Sequence, residues 1–324
     1  MIEKLRSKPA IVPQPTRTPP KAVPAAAALT QQAALGWSPK SRPNLLERLA
    51  QQGAAKLGLT AFAPLQAPPV LKRPVVMLPG LTLGADSYNP LAKHLASNKA
   101  NGPVATYVAA DGKFHLGGKD GRVMQPAEVQ RAKLFQMEYK SAKGAPSDKA
   151  REVASMMKAV AQATHAELDV VTHSAGGHDF RQYLDTRSGA DAAVKIHRAV
   201  MIGPVSHGTV MGNIGDVAGG LVGVKKAAGE LGIGDPLVKH LDATWEKQRA
   251  QIATDVTVIA ISGAPTAGPG GIQTGDGFVQ VDEIDLAKSK TVVLKGADPT
   301  PLAHLKEVGY SGVINHVGAA LGQD

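Results

Sequence analysis

Apolar residues in this chain alternate between two rhythms. Short apolar runs at 74–78, 104–109, 167–172, 198–202, 256–261 and 291–294 predict buried strands. Stretches with helical spacing lie between or beside them, at 44–57, 86–96, 127–143 and 148–164, and a last one covers 312–321. The clearest is 148–164, where Val153, Met156, Met157 and Val160 fall on one side. A glycine-rich segment, 111–121, reads as a loop. Strands that alternate with helices predict an α/β fold: a mostly parallel central sheet with helices on both faces, joined by right-handed crossovers. No internal repeat is found.

Composition divides the chain into three parts. Residues 1–43 are rich in proline and alanine and lack a periodic apolar face, which predicts a disordered tail. Residues 44–73 read as a helical lead-in, and 74–324 as one domain. Within it, 208–253 holds Gly212, Gly215, Gly219, Gly220, Gly223, Gly229, Gly232 and Gly234. Each glycine costs a helix about 1 kcal/mol. The segment is therefore expected to be a mobile, partly helical insert.

The net charge of +9 raises the question of a nucleic-acid partner. Its distribution argues against one. Residues 1–42 carry seven Lys and Arg against Glu3 alone, a net +6, which leaves +3 for the other 282 residues. Aromatics, at 4%, offer no stacking surface for bases. The chain has no cysteine, which excludes disulfides, a thiol nucleophile and any Cys-ligated metal. No apolar run is long enough to span a bilayer, and prolines at 9, 13, 15, 19 and 20 interrupt the place of a secretory signal core.

Candidate chemistry centres on Ser174. The apolar run at 167–172 breaks at His173-Ser174-Ala175-Gly176-Gly177 and then turns helical, the order of a nucleophile elbow. Such a turn needs small residues two places either side of the serine. Gly176 meets that need; Thr172 meets it only in part, and a strict G-x-S-x-G pattern is absent. Three further parts are required: amide donors for an oxyanion, a base, and an acid to orient the base. Leu81, after Leu78-Pro79-Gly80, and Ala175, after the serine, are placed to give the two amides. His304 is the candidate base, because it follows the last strand through a short loop. His316 in the final helical stretch is expected to be structural and partly buried, His207 structural or cleft-lining, and His173 and His178 to point away from the hydroxyl. Asp276, in Thr274-Gly275-Asp276-Gly277-Phe278-Val279, is the candidate acid, with Asp282 and Asp298 as fallbacks.

From about Pro74 to its end the chain resembles an α/β-hydrolase of the lipase or esterase kind. The resemblance rests on the Pro79-Gly80 loop, the His173-Ser174-Ala175-Gly176-Gly177 elbow, the Gly275-Asp276-Gly277 segment and the late His304. It implies the α/β-hydrolase fold, with 208–253 as a lid or cap insert, and a Ser174-His304-Asp276 triad acting through an acyl-enzyme on small-molecule or lipid esters. Contact of the insert with a lipid surface is a further expectation. Transacylation, thioester, amide or polyester cleavage on the same triad stays open, as does a silent fold used for binding. No cofactor or metal is expected: the glycines do not form G-x-x-x-x-G-K-[ST], no histidine pair has zincin spacing, and Asp111 and Asp120 do not fit a calcium hand.

Overall fold

In the computed structural model of the chain, the described residues are 58–210, 225–296 and 303–323. The tail at 1–43 and the helix expected over 44–57 lie outside them, as do 211–224 of the insert.

The domain is built on a nine-stranded sheet in the order β11-β8-β7-β6-β1-β5-β2-β3-β4. Its strands are β1 (Val75–Leu78), β2 (Val104–Val108), β3 (Lys113–Leu116), β4 (Arg122–Val123), β5 (Leu134–Glu138), β6 (Leu168–His173), β7 (Ile196–Ile202), β8 (Val256–Ser262) and β11 (Lys290–Lys295). Between the last two, β9 (Ala264–Gly268) and β10 (Gly271–Gly275) form a separate hairpin. Every pairing in the main sheet is parallel except those of β2 with β3 and β3 with β4. The helices, in chain order, are α1 (Asn89–Ala96), α2 (Pro126–Arg131), α3 (Pro146–Thr164), α4 (Gly176–Thr186), α5 (Gly189–Ala192), α6 (Lys225–Gly229), α7 (Pro236–Ala243), α8 (Trp245–Arg249), α9 (Ala303–Lys306) and α10 (Ser311–Gly322). None of the described helices is long and apolar enough to cross a membrane.

Strand residues alternate between two cores, as a period of two requires. Val76, Leu78, Val170, Met201 and Val258 join Met156 and Val160 of α3 and Phe180 and Leu184 of α4 in one. Val75, Met77, Val171, Val200 and Ile259 join Leu91 and Leu95 of α1 and Val313 and Val317 of α10 in the other. Both faces of the sheet are therefore covered. The central strands are buried along their whole length, so their sequences read as apolar runs.

Three sequence expectations change. The helix over 127–143 is instead the six-residue α2 followed by β5, which sits between β1 and β2. Leu134, Phe135, Gln136 and Met137 are all buried there, and pairing on both edges outweighs local helical spacing. The loop at 111–121 contains β3, held down by Phe114 against Tyr107 and Phe135 with ring centroids 5.3 and 5.5 Å apart. The described part of the lead-in, 58–73, is helical only in a 3-10 turn at Thr60–Phe62. Pro64, Pro68 and Pro69 stop it, and the segment runs on in non-helical form, tied by Gln66 N–H to Asn315 Oδ1 and by Leu71 N–H to Asn101 Oδ1.

Candidate active site

β6 carries Ser174 to the edge of the core and then releases it. Ser174 has φ +53, a left-handed conformation that costs a residue with a Cβ about 1–2 kcal/mol. It is pinned from both sides, its amide donating to Ile202 O at 3.0 Å and its carbonyl accepting from Gly177 N–H at 3.0 Å. Gly176 opens α4 directly over β1. A Cβ there would collide with Leu78 O and stand 2.8 Å from Pro79 O, which is why glycine is needed after the serine. Thr172 is buried in β6 beside Leu78 and Met201, and the close approach does not fall on it. Ser174 is partly exposed while its neighbours are buried, so the turn presents its hydroxyl.

His304 and Asp276 complete a chain of hydrogen bonds from that hydroxyl. His304 Nε2 lies 2.7 Å from Ser174 Oγ, and His304 Nδ1 lies 2.8 Å from Asp276 Oδ2. A carboxylate can only accept, so Nδ1 carries the proton, and when the imidazole is neutral Nε2 accepts from the serine. The other Asp276 oxygen accepts from the amides of Phe278 and Val279, both at 2.8 Å. Gly277 makes that turn at φ +96 and donates to Thr266 Oγ1 at 2.8 Å. The His304 amide in turn donates to Asp276 O at 3.0 Å, and the Phe278 ring stacks on the imidazole at 5.2 Å. Asp282 is exposed, and Asp298 lies outside the described residues.

A second carboxylate reaches the same imidazole, and the sequence reading did not single it out. Glu307 Oε1 lies 3.2 Å from His304 Nδ1 and 2.9 Å from His173 Nε2, and Glu307 is fully buried. Burial pushes His304 toward losing its proton, but Asp276 and Glu307 outweigh it and raise its pKa to about 10. Burial likewise pushes Glu307 up, and the two histidines outweigh it, holding the carboxyl below its ordinary value. The spacing of His304 and Glu307, one helical turn apart, was the available signal.

The loop after β1 passes against the elbow. A Cβ on Gly80 would lie 2.9 Å from Ser174 Cβ, so the loop leading into Leu81 runs beside Ser174. Neither the Leu81 nor the Ala175 amide donates to a backbone acceptor among the described residues. The next residue, Thr82, has φ +63 and donates its amide to Ala142 O at 2.9 Å. The same carbonyl accepts from Lys149 Nζ at 3.1 Å. Lys149 is buried, 3.9 Å from Asp179 Oδ2 and 4.4 Å from the centre of the Tyr139 ring, and Tyr139 OH donates to Asp179 at 2.8 Å. Asp179 belongs to α4. Lys149 thus links Ala142, on which the Thr82 amide docks, to Asp179 in the helix that follows the serine.

The remaining histidines fall away from the hydroxyl. His173 Nε2–H bonds His304 O at 3.0 Å as well as Glu307. His178 is buried, and neither ring nitrogen has a hydrogen-bond partner among the described residues; burial, helped by Arg181, lowers its pKa to about 3. His207 bridges Asp242 Oδ2 at 2.9 Å and Asp285 O at 2.7 Å. His316 is exposed rather than partly buried, because it falls on the solvent side of α10, whose inner side is Val313, Ile314 and Val317.

No protein-family model matches the chain, and no curated protein is significantly similar to it in sequence. Solved structures are similar in fold. The mature lipase BlEst2 of Bacillus licheniformis is 15% identical, with a TM-score of 0.51 over 81% of this chain and 96% of that one. The product of the gene lin2722 of Listeria innocua is 17% identical, with a TM-score of 0.50 over 76% of this chain and 92% of that one. With its mostly parallel sheet, helices on both faces and a serine at the turn between β6 and α4, the chain has the α/β-hydrolase fold.

Proposed function

We propose that the chain is a serine carboxylester hydrolase that acts through an acyl-enzyme. The observation that carries this reading is the unbroken hydrogen-bond chain from Ser174 Oγ through His304 to Asp276, with Ser174 partly exposed and the other two residues buried. In the proposed cycle Ser174 Oγ attacks the ester carbonyl while His304 Nε2 takes its proton. Asp276 keeps the imidazole in the Nδ1–H tautomer and stabilises the imidazolium. The oxyanion receives the Leu81 and Ala175 amides, each worth about 3 kcal/mol in the transition state. His304 then protonates the leaving alcohol, and a water repeats the steps to release the acid. A lipase in the mature BlEst2 form among the neighbours agrees with an ester substrate.

Hydrolysis of p-nitrophenyl esters from acetate to palmitate tests the reading. Turnover that falls about 10⁶-fold in Ser174→Ala supports it; turnover that survives the substitution overturns it. The insert is proposed to cover the acyl cleft and meet lipid surfaces. Its root supports this: Thr209 N–H donates to Leu231 O at 2.8 Å and Thr209 Oγ1 to Phe278 O at 2.9 Å, beside the ring that stacks on His304. Shortening the 208–253 insert is expected to change chain-length preference more than acetate hydrolysis, and equal effects on both count against a lid.

A further inference from the structure

We propose that Glu307 is a second orienting carboxylate for His304, a positioning residue able to hold the Nδ1–H tautomer when Asp276 cannot. The proposal rests on the serine-hydrolase reading for its effect on turnover, but its geometry stands apart from it. Glu307 Oε1 is within 3.2 Å of the same ring nitrogen that Asp276 Oδ2 approaches at 2.8 Å. His173 Nε2 is 3.0 Å from His304 O, which can only accept, so that nitrogen carries the proton and points it at Glu307 Oε1 as well. One carboxylate oxygen therefore accepts from His173 and stands in ion-pair range of His304 Nδ1, whose N–H goes to Asp276.

Space for this carboxylate is made deliberately by the backbone. Gly203, where β7 ends, has φ +47, and a Cβ there would collide with Glu307 Oε1. Burying an acid fully is costly unless its charge is met. Here the groups that face it are the two imidazoles and, more distantly, the phenol of Tyr88, whose hydroxyl donates to Leu78 O and does not compete for the carboxylate. The groups facing His304 are Asp276, Glu307, His173, Ser174 and the Phe278 ring. Glu307 also differs from Asp276 in origin. It stands three residues from His304 in the same short helical segment, whereas Asp276 arrives from a loop 28 residues earlier.

The two carboxylates make a distinct pattern of losses. Where one acid serves alone, its amide replacement offers an N–H to Nδ1, favours the wrong tautomer and costs about 10⁴-fold. In this site Asp276→Asn leaves Glu307 accepting from Nδ1–H, so kcat/KM is expected to fall by about 10²-fold or less, and Asp276→Asn/Glu307→Gln by the full 10⁴-fold or so. Glu307→Gln alone keeps an acceptor for His173 but removes a charge, and the acid limb of kcat/KM is expected to move down by about one pH unit or more. A merely structural role lowers turnover without moving that limb.

The deciding experiment uses the full chain and reads the imidazole directly. Proton NMR of wild type, Asp276→Asn and the double variant follows the downfield Nδ1–H resonance of His304. Its persistence in Asp276→Asn and loss in the double variant supports the proposal. Its loss in Asp276→Asn overturns it, as does an Asp276→Asn variant with no more activity than the double. This readout needs no ester turnover and no folded Glu307 single variant, so an inactive wild type sinks the hydrolase reading while the resonance still judges Glu307.

Discussion

The left-handed turn at Ser174 can be tested by stability as well as by activity. Ser174→Ala and Ser174→Gly both remove the hydroxyl and its hydrogen bond to His304 Nε2, so they differ only in the Cβ at φ +53. Keeping that Cβ in the left-handed region costs about 1–2 kcal/mol. Glycine gives back part of the gain, about 0.4–1 kcal/mol, through the greater freedom of its unfolded chain. The net expectation is that the glycine variant is more stable than the alanine variant by roughly 0.5–1 kcal/mol, or about 1–4 °C in Tm. Urea unfolding with a shared m-value and a thermal melt both measure the difference. The serine is held there by bonds to Ile202 O and from Gly177 N–H, so relaxation of the backbone cannot absorb the strain cheaply. An alanine variant equal to or more stable than the glycine variant refutes the claim that the fold stores strain at the nucleophile.

Other expectations follow from the electrostatics of the same region. Because His304 must be neutral to accept the serine proton and its two carboxylates raise its pKa, kcat/KM is expected to climb with a midpoint well above pH 6.5; a midpoint at or below 6.5 contradicts the reading. In stability the sign is opposite. A raised histidine pKa stabilises the fold fully below the unfolded value of about 6.5 and loses that contribution as pH rises toward about 10, so wild type is expected to lose stability relative to His304→Gln across this window. Glu307, held low, adds stability above the ordinary carboxylate range and loses it in acid. Lys149→Met leaves Asp179 buried without its cation and removes a donor from Ala142 O, so a loss of about 3–5 kcal/mol is expected by urea unfolding, and a loss within 1 kcal/mol removes Lys149 from the account.

Much of the site was legible in the sequence because its parts depend on local backbone demands. Gly176 is required where α4 crosses β1, and Gly277 where the acid loop reverses, and both marked their neighbours as candidates. Four strands, β1, β6, β7 and β8, announced themselves as apolar runs because burial on both faces leaves no polar side. β5 did not, since Gln136 interrupts it and Leu134, Phe135 and Met137 fit helical spacing equally well; only pairing to both β1 and β2 decides. β3 hides in glycines and relies on aromatic contacts across strands. Glu307 escaped for a different reason. Its significance lies in contacts with His173, 134 residues earlier, and with a vacancy at Gly203, neither of which a local pattern records.

The central claim is that Ser174 is an activated nucleophile. Treating the pure protein with a fluorophosphonate probe and mapping the adduct by peptide mass spectrometry tests it most directly. One adduct is expected, on the peptide containing Ser174, lost in Ser174→Ala and accompanied by loss of ester turnover in the labelled wild type. An unlabelled Ser174 in folded protein, or full turnover after it is labelled, contradicts it.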